Sequence, residues 1–269
     1  MKSLVLYLLI LFLITYVYDF LFLIPILNKY QVNNVFKNPS YPLTVVVLGV
    51  IRMFFPLIVA YLVFFIFIRK NFKEFFFYRR IKPKDFMYSL FSILLFFLIY
   101  YSLVLVLVMV FDLKSEIFLG SVFLVPLAIL INFFATFGEE TGWRGFLYRE
   151  LSKYTDNLVI LSIVIGIIWA FWHFPLILFT GFNYYNHRIL GCLLFMVFCS
   201  GFTYLMLLNL ERSRSLLSTI VMHDMFNSLG SIEFLIFPGS LYYVVFSPVG
   251  LLGIFSMLLT ILIVRKCIS

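Results

Sequence analysis

Hydrophobic residues fill long blocks of this chain, and polar residues are mostly confined to the short stretches between those blocks. A helix needs about 20 residues to cross a bilayer, and backbone that faces lipid must satisfy its own hydrogen bonds, which favours helices. The pattern therefore predicts an all-α polytopic membrane helix bundle of about eight transmembrane helices. The predicted spans are residues 4–27, 43–68, 87–111, a long fourth helix at about 118–153, 157–180, 189–210, 215–236 and 244–264.

The composition agrees with this interpretation, because 64% of the 269 residues are hydrophobic and 12% are charged. A soluble domain carries about 25% charged residues. Eight spans leave little room for a soluble part, so we expect one integral-membrane domain over residues 1–269, with its core at about 118–236. The first block is expected to be a helix and not a cleaved signal peptide, because it is long and lacks a small-residue cleavage site.

Positive charge sets the expected orientation. If the N-terminus is cytoplasmic, fifteen of the twenty Lys and Arg residues fall on the inner side, four on the outer side, and Arg52 within a span. The Lys and Arg content of short loops orients membrane proteins, so both termini are predicted to face the cytoplasm. The net charge of +8 then indicates attraction to the inner leaflet and not to nucleic acid, because the basic residues flank the spans.

Ionisable residues interrupt the hydrophobic blocks in three clusters, at residues 138–144, 169–175 and 223–227. An ionisable side chain at the centre of a bilayer costs about 2.5–3.5 kcal/mol by insertion scales. Such residues persist mainly where they pair with one another or carry out chemistry. The three clusters together therefore predict an active site.

The hairpin of the fourth and fifth helices is expected to bring Glu139 and His173 to the same level. The turn signal Tyr154–Asn157 lies about 16 residues after Glu139 and about 17 residues before His173. At ~1.5 Å per residue, both side chains lie about 25 Å from the turn. This arrangement requires the fourth helix to continue through the two acids as far as Lys153.

Adjacent residues point about 100° apart on a helix, so Glu139 and Glu140 need different partners. Arg144 lies four residues after Glu140 on the same face, which predicts a supporting ion pair. Glu139 has no local cation and is a candidate general base. His223 and Asn227 are also four residues apart, and together they offer two donors for an oxyanion.

Two further charges, Asp19 in the first span and Arg52 in the second, lie at similar depth from the outer side. Equal depth follows from their distances to the ends of the two helices at ~1.5 Å per residue. We therefore predict a structural ion pair between them.

Two mechanisms use these residues. In the first, Glu139 and His173 activate a water molecule that attacks a peptide carbonyl, and His223 and Asn227 stabilise the oxyanion without a metal. In the second, Glu139, His173 and His223 hold Zn²⁺, which is a workable catalytic ligand set. The chain has no His-Glu-x-x-His pair on one helix, so we expect no cofactor and keep zinc as the alternative.

The three clusters resemble, in order, the motifs of the CAAX prenyl endopeptidase and bacteriocin-processing membrane protease family. Glu139–Leu147 resembles the Glu-Glu-x-x-x-Arg motif, and His173–Pro175 is similar to the second motif, a histidine in an apolar helix. His223 and Asn227 match the third motif, His-x-x-x-Asn/Asp. The basic stretch Arg79–Pro83 also resembles the lead-in before the third helix.

The resemblance implies an eight-helix intramembrane peptidase whose site opens toward the cytoplasmic side. Its implied substrate is a prenylated protein, another membrane-associated protein or a small peptide. The family has also been labelled metal-dependent, so the resemblance leaves the cofactor open. The resemblance implies that Glu139 and His173 activate the water molecule. It implies that His223 and Asn227 bind the oxyanion, and that Glu140 and Arg144 support the site.

Two other classes of protein use a polar pocket inside a membrane. A non-catalytic immunity or peptide-binding protein would hold a peptide there without cleaving it. A transporter is disfavoured because the chain shows neither an inverted repeat nor a pair of broken helices.

Overall fold

A computed structural model describes residues 2–30, 43–69, 71–113, 116–117, 123, 125–230, 235–236 and 244–268 of this chain. The described part is a bundle of helices, as predicted. The helices, numbered here in chain order, are α1 Lys2–Tyr18, α2 Ile24–Lys29, α3 Leu43–Val63, α4 Phe72–Phe75, α5 Pro83–Phe111, α6 Val125–Glu140, α7 Tyr148–Leu151, α8 Leu158–Thr180, α9 Arg188–Ser213, α10 Leu217–Gly230 and α11 Leu251–Ile268.

Three π-helical segments in the described part of the chain extend or join these helices. Asp19–Leu23 joins α1 to α2, and Phe64–Ile68 extends α3. Thr141–Leu147, called the π segment below, joins α6 to α7. A π-helix is rare and occurs frequently at functional sites.

Within the described ranges, five helices are long and apolar enough to cross a membrane. They correspond to the first, second, third, fifth and sixth predicted spans. The chain is thus a multi-pass membrane protein with a helical bundle, and the number of eight spans stays a prediction. The five helices are Lys2–Lys29, Leu43–Ile68, Pro83–Phe111, Leu158–Thr180 and Arg188–Ser213.

Two predicted spans have wrong boundaries. The seventh was expected at 215–236, but Leu235–Ile236 is a short strand that pairs antiparallel with Glu116–Ile117. Hydropathy alone does not separate a short apolar strand from a helix, and this run is rich in residues that favour strands. The eighth was expected from residue 244, but α11 begins at Leu251, after Pro248. The predicted start of the fourth helix, residues 118–122, lies outside the described residues.

Glycines let α6 and the π segment approach α3 closely. A Cβ added at Gly138 would lie 2.5 Å from the carbonyl oxygen of Met53, and one at Gly142 would lie 2.3 Å from Pro56 Cβ. α6 and the π segment therefore pack directly on the backbone of α3. Small residues at such interfaces let helices approach closely in membranes.

Aromatic side chains fill the interior beside the π segment. The Tyr7 ring lies 4.7 Å from that of Phe146 and edge-on to Trp143 at 6.3 Å, measured between ring centroids. Trp143 in turn contacts Trp172 of α8, edge-on at 5.7 Å. These contacts join α1 and α8 to the π segment, and edge-on geometry is a favourable one for aromatic pairs.

The predicted ion pair between Asp19 and Arg52 is confirmed. Arg52 Nε donates to Asp19 Oδ1 at 2.7 Å, and Nη2 donates to Oδ2 at 3.0 Å. Both side chains are buried. This bidentate geometry joins α3 to the π-helical segment that follows α1, and it neutralises two charges that would otherwise be costly inside a membrane.

Candidate active site

The fourth predicted helix continues through the two acids, as the hairpin argument requires. α6 ends at Glu140, and the π segment and α7 extend the helical path to Leu151, two residues short of Lys153. Glu139 and Glu140 are 2% and 0% exposed, respectively. Neither acid is therefore a solvated residue at a helix end.

Glu140 is bound by two side chains through one oxygen. Its Oε1 accepts a hydrogen bond of 2.8 Å from Arg144 Nη1, so the predicted ion pair is present. The same oxygen lies 2.9 Å from His223 Nδ1. Arg144 Nη2 also donates to Thr203 Oγ1 at 2.7 Å. Glu140 and Arg144 thus connect the end of α6 to α10 and α9.

This contact fixes which nitrogen of His223 is available. An ionised carboxylate can only accept hydrogen bonds, so Nδ1 of His223 carries a proton that it donates to Glu140. The remaining nitrogen, Nε2, presents a lone pair in the neutral ring and a donor in the imidazolium. An oxyanion-binding role for His223 therefore requires the imidazolium form.

Glu139 is held by a residue that the sequence reasoning did not select. Trp169 Nε1 donates a hydrogen bond of 2.9 Å to Glu139 Oε2. His173 lies one helical turn further along α8, and its Nδ1 is 3.0 Å from the carbonyl oxygen of Trp169. Glu139 and His173, which were predicted to lie at the same level, are thus connected through Trp169.

The tautomer of His173 follows from the same argument. A backbone carbonyl can only accept, so Nδ1 of His173 donates to Trp169, and Nε2 carries a lone pair in the neutral ring. A ring oriented through Nδ1 with a free Nε2 suits a general base. The rings of Trp172 and Phe195 flank the imidazole edge-on, with centroids 4.8 and 5.1 Å away.

Trp169 also forms a wall of the site. Its ring lies edge-on to the imidazole of His223, with centroids 5.1 Å apart, and the guanidinium carbon of Arg144 lies 4.3 Å from its centroid. The spacing from His173, four residues on one helix face, was a sequence signal that pointed to Trp169.

Asn227 lies on α10 four residues after His223 and is half-buried. Among the described residues, no hydrogen bond to its side chain is observed, so its amide is available to a ligand. Asp224 has a different environment, because it is buried and accepts a hydrogen bond of 3.1 Å from Ser228. Ser228 in turn accepts from Asn132 of α6 at 3.0 Å.

The side chains present do not form the zinc site considered above. Within the part of the chain that the structure describes, no group of three His, Cys, Asp or Glu side chains converges closely enough to hold a metal ion. Glu139, His173 and His223 therefore do not meet as a three-ligand set. Catalytic zinc takes three protein ligands and a water molecule.

Comparisons with known proteins point to one family. Residues 121–229 match the family described as type II CAAX prenyl endopeptidase Rce1-like. The chain is also similar to CAAX prenyl protease 2 of Methanococcus maripaludis, with 46% identity over 66 residues. That alignment covers 24% of this chain and 22% of the relative, so the chain matches about a fifth of the relative's length.

The matched residues run from just before α6 to the end of α10, and they contain all six candidate residues. Over residues 121–229, this multi-pass membrane protein is therefore similar to the Rce1-like family of type II CAAX prenyl endopeptidases.

Proposed function

We propose that this protein is a membrane endopeptidase of the type II CAAX kind. It hydrolyses a peptide bond of a membrane-associated protein, a lipidated CAAX-type protein or a small peptide, and it needs no metal. One observation carries the proposal: two acids and two histidines from three helices are assembled around Trp169 in the interior of the bundle. The name of the Methanococcus relative supports the same reaction class.

The proposed reaction uses one water molecule. Glu139 orients the water and, with the lone pair of His173 Nε2, removes a proton as the oxygen attacks the scissile carbonyl carbon. The tetrahedral oxyanion is stabilised by the Asn227 amide and by Nε2–H of the His223 imidazolium. The proton held by the base passes to the leaving amine as the C–N bond breaks, and two peptide fragments are released.

Glu140 and Arg144 have supporting roles in this scheme. Glu140 fixes the imidazole of His223 through Nδ1, so that Nε2 is the nitrogen left for the oxyanion. Arg144 balances the charge of Glu140 within the buried cluster. Removal of either side chain would therefore change the position of His223.

We further propose that the site opens toward the cytoplasmic side, with both termini on that side. The distribution of Lys and Arg supports this orientation. The whole chain, residues 1–269, then acts as one integral-membrane domain whose partners are the bilayer and its peptide substrate, with no nucleic acid.

The test is cleavage of a quenched fluorescent peptide library, half of it lipidated at cysteine, by the purified protein in nanodiscs. The wild type is compared with Glu139→Gln, and Glu74→Gln is the matched control because Glu74 is exposed and pairs with Arg79 at the surface. We expect cleavage by the wild type and the control, none by Glu139→Gln, and no effect of a chelator.

Two results would contradict the proposal. Loss of cleavage on chelation, with recovery on addition of zinc, would establish a metallopeptidase. Saturable peptide binding with no turnover, unchanged in Glu139→Gln, would establish a non-catalytic peptide-binding protein.

A further inference from the structure

Pro175 leaves a carbonyl group of α8 without its helical partner. In an α-helix, the N–H of residue 175 would bond to the carbonyl of residue 171, and proline has no N–H. The Phe171 carbonyl oxygen instead accepts a hydrogen bond of 2.7 Å from the hydroxyl of Tyr16 on α1. The proline thus frees one carbonyl two residues before His173, and another helix binds it.

The next carbonyl along α8 is bound by a buried cation. Arg52 Nη2 donates to the carbonyl oxygen of Trp172 at 2.6 Å, and the guanidinium carbon lies 3.6 Å from the Trp172 ring centroid. The other end of the same indole is also held, because Trp172 Nε1 donates to Thr15 Oγ1 of α1 at 2.9 Å. The residue immediately before His173 is therefore fixed through both its backbone and its side chain.

The ion pair with Asp19 determines how Arg52 is oriented. Two parallel hydrogen bonds hold the planar guanidinium, and they leave Nη2 directed at both Asp19 and the Trp172 carbonyl. Arginine is suited to this role because its donors form a rigid fork, whereas the lysine ammonium is a point charge on a flexible stem.

Stability alone is a poor explanation for this pair. Well-packed hydrophobic residues of similar volume often replace a buried ion pair with no loss of stability. The contacts of Arg52 and Tyr16 converge on residues 171 and 172, directly before His173. The side chains of α1 and α3 that bind residues 171 and 172 lie outside residues 121–229, the part that matches the peptidase family.

We propose that Arg52, held by Asp19, is a positioning residue that sets the orientation of the His173 imidazole. This inference rests on the proposed function, in which His173 Nε2 takes part in water activation. A misplacement of about 1 Å can cost 10²-fold in rate. Arg52 therefore acts on catalysis through the backbone of α8, without touching the reacting atoms.

The first test is the conservative variant Arg52→Lys, which keeps the charge and loses the fork. We expect kcat to fall about 10- to 100-fold with KM unchanged. Tyr16→Phe, which removes one hydroxyl, is expected to lower kcat in the same way but less. Arg212→Lys is the matched control, because Arg212 pairs with Asp85 at 3.2 Å and lies 3.9 Å from the Tyr88 ring centroid, at the distant end of α9.

The second test separates positioning from stability. The double variant Asp19→Arg/Arg52→Asp restores an ion pair, but it places a carboxylate, which cannot donate, next to the Trp172 carbonyl. We expect its unfolding temperature to recover toward that of the wild type while kcat stays low. Recovery of kcat together with the unfolding temperature would overturn the inference and leave a purely structural pair.

A third measurement does not depend on cleavage. The imidazole ¹⁵N resonances of His173, assigned by their loss in His173→Ala, should shift in Arg52→Lys and stay unchanged in Arg212→Lys. Unchanged His173 resonances in Arg52→Lys would overturn the inference even if Glu139→Gln abolishes cleavage, and the proposed function would then stand alone. If the wild type cleaves no peptide, a shift of these resonances still supports positioning, and only the proposed function fails.

Discussion

The indole Nε1 of Trp169 donates a hydrogen bond of 2.9 Å to Oε2 of Glu139. The carbonyl of the same tryptophan accepts a hydrogen bond from His173. One residue of α8 thus orients both groups proposed to activate water. Hydrogen bonds to a charged group are worth about 1.5–3 kcal/mol, so this contact contributes materially to the placement of the carboxylate.

Trp169→Phe should lower kcat about 10-fold or more, because it removes this hydrogen bond and leaves the aromatic ring. Steady-state cleavage of the best library peptide measures the effect. Trp143→Phe is the control for the change of volume, because Trp143 Nε1 is buried without a hydrogen-bond partner among the described residues. Equal losses in both variants would show that packing, and not the hydrogen bond, is responsible.

Glu140→Gln should destabilise the protein by about 3–5 kcal/mol, the usual cost of breaking a buried ion pair. Arg144 is 0% exposed and would lose its charge partner, and His223 would lose its carboxylate. Thermal unfolding in detergent measures the change. The exposed pair of Glu74 and Arg79 provides the comparison, and Glu74→Gln should cost at most about 1 kcal/mol.

Local spacing and depth along the helices made much of this site predictable. The interval of four residues identified the contact of Glu140 with Arg144, and equal depth identified the pair of Asp19 and Arg52. Both rules depend only on the rise and repeat of a helix. The long apolar blocks likewise identified the five spanning helices.

The rotation of each helix about its own axis was not predictable from spacing and depth. Equal depth put Glu139 and His173 at one level, but the rotation of α8 about its axis decides which side chain meets the acid. That rotation brings Trp169 to Glu139. It depends on packing against α9, where a Cβ at Gly166 would lie 2.4 Å from Ser200 Cα, and such tertiary contacts leave no mark in the hydropathy pattern.

Gly142→Ala should strongly reduce folded protein, because the added Cβ would lie 2.3 Å from Pro56 Cβ and 2.7 Å from the Tyr7 hydroxyl oxygen. Size-exclusion yield and thermal unfolding measure the loss. Gly49→Ala is the matched control, since a Cβ there meets nothing within 4 Å. A helix favours alanine over glycine by up to about 1 kcal/mol, so the control should be neutral or slightly more stable.

Asn227→Ala should lower kcat about 10²- to 10³-fold with little change in KM, as expected for loss of an oxyanion donor. The side chain makes no hydrogen bond to another described residue, so folding should be unaffected. Full kinetics and an unfolding curve for the same preparation test both points. Asn186→Ala, in an exposed loop, should match the wild type. An unchanged kcat in Asn227→Ala would remove this residue from the proposed mechanism.

The π segment has a consequence for how related chains vary between organisms. It places Thr141–Leu147 between the acids of α6 and the start of α7, where the Tyr148 hydroxyl donates to Glu211 of α9 at 2.6 Å. Insertion or deletion of one residue would rotate everything beyond it by about 100° relative to Glu139 and Glu140. Aligned relatives should therefore differ across these seven positions by substitution alone, and a gap there should coincide with loss of the acids.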